Sequence, residues 1–152
     1  MSVIACVGAV VVDSAEMPTR ILLVKRDTDP WKGMWTNPAG KVEGGETLEE
    51  AVEREVFEET GIQVRAVRHL CTFDEFVHDP LGRLQAHYVC VNYLASSTGG
   101  RLKAGTDIAD ARWVTLKEAR ELFENDLIPK VTIRPYSETR LPALTALFAA
   151  RE

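Results

Sequence analysis

The stretch Gly40-Lys41-Val42-Glu43-Gly44-Gly45-Glu46-Thr47-Leu48-Glu49-Glu50-Ala51-Val52-Glu53-Arg54-Glu55-Val56-Phe57-Glu58-Glu59-Thr60-Gly61-Ile62 decides how this chain is read. It opens as a glycine-rich loop and continues as a helix over 47–60. Thr47 followed by Glu50 has the spacing of a capping box. Leu48, Ala51, Val52 and Val56 recur at intervals of three and four, as a core-facing stripe does. Gly61 stands where a left-handed residue ends a helix. Eight glutamates lie between Glu43 and Glu59. Glu55, Glu58 and Glu59 fall at i, i+3 and i+4, so their carboxylates share one patch of the helix surface. Like charges at these spacings oppose helix formation, so stability does not ask for them. A hard dication does, because magnesium takes oxygen ligands, commonly carboxylates together with substrate phosphate and water. The lone Arg54 in the cluster has a planar guanidinium that can hold two carboxylates in fixed orientation. The competing reading of such a run is a solvated acidic face. The glycine loop before it and Arg54 within it weigh against that.

Outward from this segment the chain alternates strands and helices. Val3 to Val12 is rich in β-branched residues and reads as a buried strand. Ile21 to Val24 is a second strand, ending in Lys25-Arg26. Asp27 to Gly45 is expected to be irregular, punctuated by Pro30, Gly33, Pro38 and Gly40. Long loops of this kind inside a compact domain usually serve function. Val64 to Val77 and Leu84 to Leu94 are strand-like runs joined by the turn His78-Asp79-Pro80-Leu81-Gly82-Arg83, hence a hairpin. Ser96 to Gly100 reads as a flexible loop and Ala111 to Val114 as a short strand. Thr115 and Glu118 form a second capping box, opening a helix to about Phe123. Arg140 to Ala150 is expected to be a last amphipathic helix. The pattern predicts one domain over 1–152, of α/β (α+β) class, with a mixed β-sheet flanked by helices.

Composition sets outer limits. The chain has 152 residues, of which 45% are apolar and 27% charged, as in an ordinary soluble domain. A net charge of -5 argues against a nucleic-acid polymer as partner. It does not oppose a substrate that arrives with a cation. Cys6, Cys71 and Cys90 are scattered through apolar runs and read as reduced, structural thiols. No signal peptide and no run of roughly 20 apolar residues is seen, so a cytoplasmic protein away from the membrane is expected. His69, His78 and His87 lack a shared metal-ligand spacing and read as structural.

The 40–62 segment resembles the Nudix box, G-x5-E-x7-R-E-U-x-E-E-x-G-U with U aliphatic. It matches at Gly40, Glu46, Arg54, Glu55, Val56, Glu58, Glu59, Gly61 and Ile62, which are the motif's fixed positions. The resemblance implies a Nudix-type α/β/α sandwich and a magnesium-dependent pyrophosphohydrolase, with manganese as a substitute ion. It implies Glu58 and Glu59 as principal metal ligands, Glu55 as a further ligand or general base, and the backbone carbonyl near Gly40 as an additional ligand. Arg54 and Glu46 would be the orienting ion pair. The motif leaves the proton acceptor open; Glu75, Asp107 and Asp110 are further candidates, and Asp107 has the spacing of an extra acidic ligand in MutT-like members. Asp107 could equally be a turn residue. Trp31 and Trp35 either pack under the loop or stack on a base, and Lys25 and Arg26 could reach a phosphate. Arg26, Trp35 and Glu75 are therefore the candidate substrate contacts. The substrate class is a small nucleotide: a nucleoside diphosphate linked to another group, with ADP-ribose or a relative ahead of a MutT-like nucleoside triphosphate. A catalytically silent nucleotide sensor would be expected to lack one of Glu55, Glu58 and Glu59. Many members of the family are dimers, so a homodimer is open to this chain.

Overall fold

The computed structural model describes residues 1–149. Its elements in order are β1 (Val3–Val12), β2 (Arg20–Arg26), β3 (Trp35–Thr36), β4 (Ala39–Lys41), α1 (Leu48–Thr60), β5 (Ile62–His78), β6 (Leu84–Gly100) and β7 (Ile108–Thr115). They continue with α2 (Leu116–Glu124), α3 (Lys130–Ile133), a 3-10 turn (Arg134–Glu138) and α4 (Pro142–Thr145). The strands form one seven-stranded sheet in the order β3-β2-β1-β6-β5, with β4 added to β1 and β7 to β2.

β1 is the keel of the sheet. It runs parallel to β6 along its whole length, from Val3↔His87 to Val12↔Ser96. From Val7 to Val12 both its faces are covered, which explains why that stretch is continuously apolar rather than alternating. On one face Val7, Ala9 and Val11 meet Ala51, Val52 and Val56 of α1. On the other, Val10 and Val12 join Leu94, Ala119, Tyr136, Leu144 and Phe148. Helices thus sit on both sides of a mixed sheet, as expected.

The free edge of β1 is shared. β2 pairs with it at Val12↔Ile21, while β4 takes the same edge lower down, at Cys6↔Lys41, Val7↔Gly40 and Gly8↔Ala39. β2 instead turns its other residues to β7, from Arg20↔Thr115 to Arg26↔Ile108. The glycine loop is therefore pinned to the middle of the sheet as a short strand.

Three expectations need correction. Ser96 to Gly100 is not a flexible loop but the end of β6, paired with β5 at Arg65↔Ser96, Val64↔Ser97, Gln63↔Gly99 and Ile62↔Gly100. Its small polar residues mimic a linker, but the partner strand supplies the ladder. The segment 27–45 is not wholly irregular, since β3 and β4 interrupt it. A helix over 140–150 does not form: only Pro142–Thr145 is helical, after Arg140 in the left-handed region at φ 59° and before a turn. Ala150, the end of that expected helix, lies outside the described residues. No helix among the described residues is long and apolar enough to cross a membrane.

Candidate active site

α1 is terminated at both ends by its own sequence. The Thr47 hydroxyl accepts from the Glu50 amide at 3.1 Å, and the Glu50 carboxylate accepts from the Thr47 amide at 3.1 Å. At the other end Gly61 adopts φ 74° and donates to the Phe57 carbonyl at 2.8 Å. Ala51, Val52, Val56 and Thr60 are buried against the sheet, with Glu59 and Glu55 at the edge of that stripe and Glu58 farther out.

Arg54 ties this acidic face to the loop. Its Nε donates to Glu46 Oε2 at 3.0 Å and its Nη2 to Glu46 Oε1 at 2.6 Å, a bidentate pair. The same Nη2 donates to the Lys41 carbonyl at 2.9 Å. Nη1 donates to Glu55 Oε1 at 2.9 Å and to Glu58 Oε2 at 3.2 Å. Glu46 is further held by the Glu43 amide at 2.8 Å. The Arg54 hydrogen bonds, reinforced by that amide, bring the Glu46 carboxyl down to about 2.

Glu55 and Glu59 are shifted the other way. Burial raises Glu55 despite its bonds to Arg54, with Glu58 and Glu43 adding repulsion. Burial pushes Glu59 up to about 8; the Ala39 amide, donating to Oε1 at 2.9 Å, and nearby Arg26 oppose this, while Glu55 and Glu58 reinforce it. A Cβ at Gly40 would overlap the Glu55 carboxylate, so any larger residue there would displace that side chain.

A cleft of about 1170 Å3 is lined by Glu55, Glu58 and Glu59 together with the 100–108 segment. Asp107 is in that segment. Among the described residues no three carboxylate, imidazole or thiol groups are already converged on one point. The physical reason is visible: Arg54 Nη1 bridges Glu55 and Glu58, and Glu59 is turned to the Ala39 amide.

The remaining candidates divide. Arg26 is close enough to Glu59 to lower its pKa, with its own Nε donating to the Pro30 carbonyl at 2.7 Å. Trp35 is not in the cleft. It is 7% exposed, belongs to the core cluster and carries Arg112 over its ring at 5.3 Å. Glu75 is not there either; its carboxylate accepts from the Cys90 thiol at 3.5 Å on the β5–β6 sheet. Both corrections have one cause. Residues near the motif in sequence alternate between the two faces of the sheet, and only one face carries α1. Sequence reasoning passed over Arg101 and Lys103, which also line the cleft. A basic pair soon after a strand facing an acidic helix was the available signal.

A model of the NUDIX domain family matches residues 4–134. The chain is 38% identical over 128 residues to the ADP-ribose pyrophosphatase of Methanocaldococcus jannaschii, covering 83% of this chain and 73% of that protein. It is 39% identical over 102 residues to the NAD-capped RNA hydrolase NudC of Vibrio parahaemolyticus; this covers 66% of this chain but spans only 36% of that longer protein. Among solved structures, a NUDIX hydrolase from Nitrosomonas europaea superposes with a TM-score of 0.74 at 20% identity, covering 93% of this chain and 91% of that one. That last likeness bears on the fold.

Proposed function

The chain belongs to the NUDIX hydrolase family, and from that premise we propose that it cleaves the pyrophosphate bond of ADP-ribose or a closely related nucleoside diphosphate derivative, using magnesium. The observation that carries the reading is the cleft lined by Glu55, Glu58 and Glu59, with Arg54 and Glu46 steadying Glu55 and Glu58.

The donor set suits a hard divalent cation. It offers carboxylate oxygens without sulfur or imidazole. Burial, with repulsion among the glutamates, makes the charged forms of Glu55 and Glu59 costly, and a bound cation would offset that cost. Glu58, Glu59 and Glu55 would hold the ion, with the Gly40 carbonyl and Asp107 as supplementary oxygens. Bound there, the dication would neutralise charge developing on the phosphoryl oxygens.

The chain's own groups do the rest. Arg54, locked by Glu46 and the Lys41 carbonyl, fixes where Glu55 and Glu58 point. Glu55 is placed to accept a proton from an attacking water, because it is partly withdrawn from solvent and holds its proton more readily than a free carboxylate. Arg26, beside Glu59, is placed to contact a phosphate. Trp35 and Glu75 take no part in this assignment.

The test is product analysis on ADP-ribose, diadenosine polyphosphates, NADH and nucleoside triphosphates, with magnesium, manganese or chelator. AMP and ribose 5-phosphate from ADP-ribose, released only with divalent ion, are expected. Preference for a triphosphate with release of pyrophosphate would replace ADP-ribose as the substrate. Absence of turnover across the panel, with tight metal-free nucleotide binding, would overturn the enzymatic reading.

A further inference from the structure

The 100–108 lining of the cleft is built in an unusual way. After β6 ends at Gly100, the chain runs alongside the C-terminal turn of α1. The Arg101 amide donates to the Gly61 carbonyl at 3.2 Å, the Lys103 amide to the Thr60 carbonyl at 2.8 Å, and the Gly105 amide to the Glu59 carbonyl at 2.9 Å. Alternate amides of this segment thus satisfy helix-end carbonyls that would otherwise lack a partner. A Cβ at Gly105 would overlap the Glu58 carbonyl, so the approach is as close as a backbone permits. The 101–105 segment is therefore fixed to the helix that carries the glutamates.

Its side chains have a different character. Arg101 and Lys103 both line the cleft and both are exposed. Four carboxylates share that cleft: Glu55, Glu58, Glu59 and Asp107. Yet neither cation makes an ion pair or side-chain hydrogen bond within the described residues. Arg54, by contrast, is committed to Glu46, Glu55, Glu58 and the Lys41 carbonyl. Alternate residues of an extended segment fall on one side of it, so Arg101 and Lys103 form a paired cationic edge of the cleft, beside the C-terminal end of the acidic helix.

We propose that Arg101 and Lys103 bind the phosphoryl group of the substrate that is not being attacked, holding it in the cleft that Glu55, Glu58 and Glu59 also line. This deepens the pyrophosphate-cleaving assignment of the same cleft and rests on it. A substrate of that class carries two linked phosphoryl groups. One is presented to the acidic helix; the other needs donors with positive charge, which a rigidly anchored guanidinium and ammonium supply. The competing role for the two cations is compensation of the α1 C-terminal dipole, since that helix has no basic residue in its last turn.

The experiment separates these. Affinity for inorganic pyrophosphate with magnesium is measured by calorimetry on the wild-type protein, on Arg101→Gln/Lys103→Gln and on Arg101→Lys/Lys103→Arg, with thermal midpoints recorded alongside. The glutamine pair is expected to bind pyrophosphate about tenfold more weakly, with a flatter dependence on ionic strength and an unchanged midpoint. The charge-preserving pair is expected to recover most of the affinity. With ADP-ribose, the loss should fall on KM rather than kcat. A lowered midpoint with unchanged pyrophosphate affinity would assign the pair to the helix end and overturn the proposal. Failure of the wild-type protein to bind pyrophosphate would also overturn it. Wild-type binding without turnover of ADP-ribose would sink the substrate assignment while leaving the cationic pair in place.

Discussion

Arg54 illustrates how much one residue organises here. Its side chain is 21% exposed, and it holds Glu46 and Glu55, whose side chains are 14% and 15% exposed. Replacing it with lysine keeps the charge but loses the fork that spans both Glu46 oxygens and the Lys41 carbonyl. Arg54→Lys is expected to lower kcat/KM by at least about tenfold, in line with loss of charge-assisted hydrogen bonds, and circular dichroism should show the fold retained. Full activity in that variant would show that carboxylate orientation does not depend on Arg54. Gly40 makes a sharper case. A methyl group there overlaps the Glu55 carboxylate, so Gly40→Ala should impair activity by displacing Glu55. Activity equal to wild type would show that Glu55 can move without consequence. A third residue affects stability alone. Burial would raise the Asp13 carboxyl, but hydrogen bonds from the Thr19 hydroxyl and the Thr19, Arg20 and Ser14 amides outweigh it and hold it below its usual value of 3.8. A carboxyl depressed in the folded state adds stability above its unfolded pKa and loses it as pH falls through the folded value. Stability should therefore decline below about pH 4 with a contribution that Asp13→Asn removes. Denaturant titrations across that range will reveal it, and identical acid limbs in both proteins would contradict it.

At the scale of elements, α1 was the most legible part of the sequence. Its cap, its buried stripe and its terminating glycine are all local, and the structure has each of them. Thr47→Ala should cost about 1 kcal/mol of stability through the lost cap, read from the urea midpoint, with little effect on catalysis. The second capping box, at Thr115 and Glu118, was legible for the same reason. What the local pattern could not reveal was pairing at a distance. Ser96 to Gly100 contains no strand signal of its own, and becomes a strand because Ile62 to Arg65 lies beside it. β4 is three residues long and exists because β2 leaves the edge of β1 open. The C-terminal region behaves likewise: Tyr136, buried with its hydroxyl donating to Asn37 at 2.8 Å, is held by tertiary contact rather than by a helical repeat.

In the whole molecule, the site draws on segments far apart in sequence. The acidic wall was legible, because a helix places i, i+3 and i+4 together whatever surrounds it. Asp107 joins the cleft, whereas Trp35 and Glu75 do not, because strand parity and sheet order decide which face a side chain takes. The basic pair Arg101 and Lys103 is visible in the sequence, but its place in the cleft is not, since that depends on main-chain bonds to the far end of α1. The fold therefore assembles an acidic wall from one local motif and a basic wall from a segment that only the sheet can bring there. The most direct check on that account is the rate of AMP formation from ADP-ribose at saturating magnesium, in the wild-type protein and in Glu59→Gln. The account predicts a loss of several kcal/mol in transition-state stabilisation, on the order of a thousandfold in kcat/KM, with a thermal midpoint that is not lowered. Turnover by Glu59→Gln at the wild-type rate would contradict it.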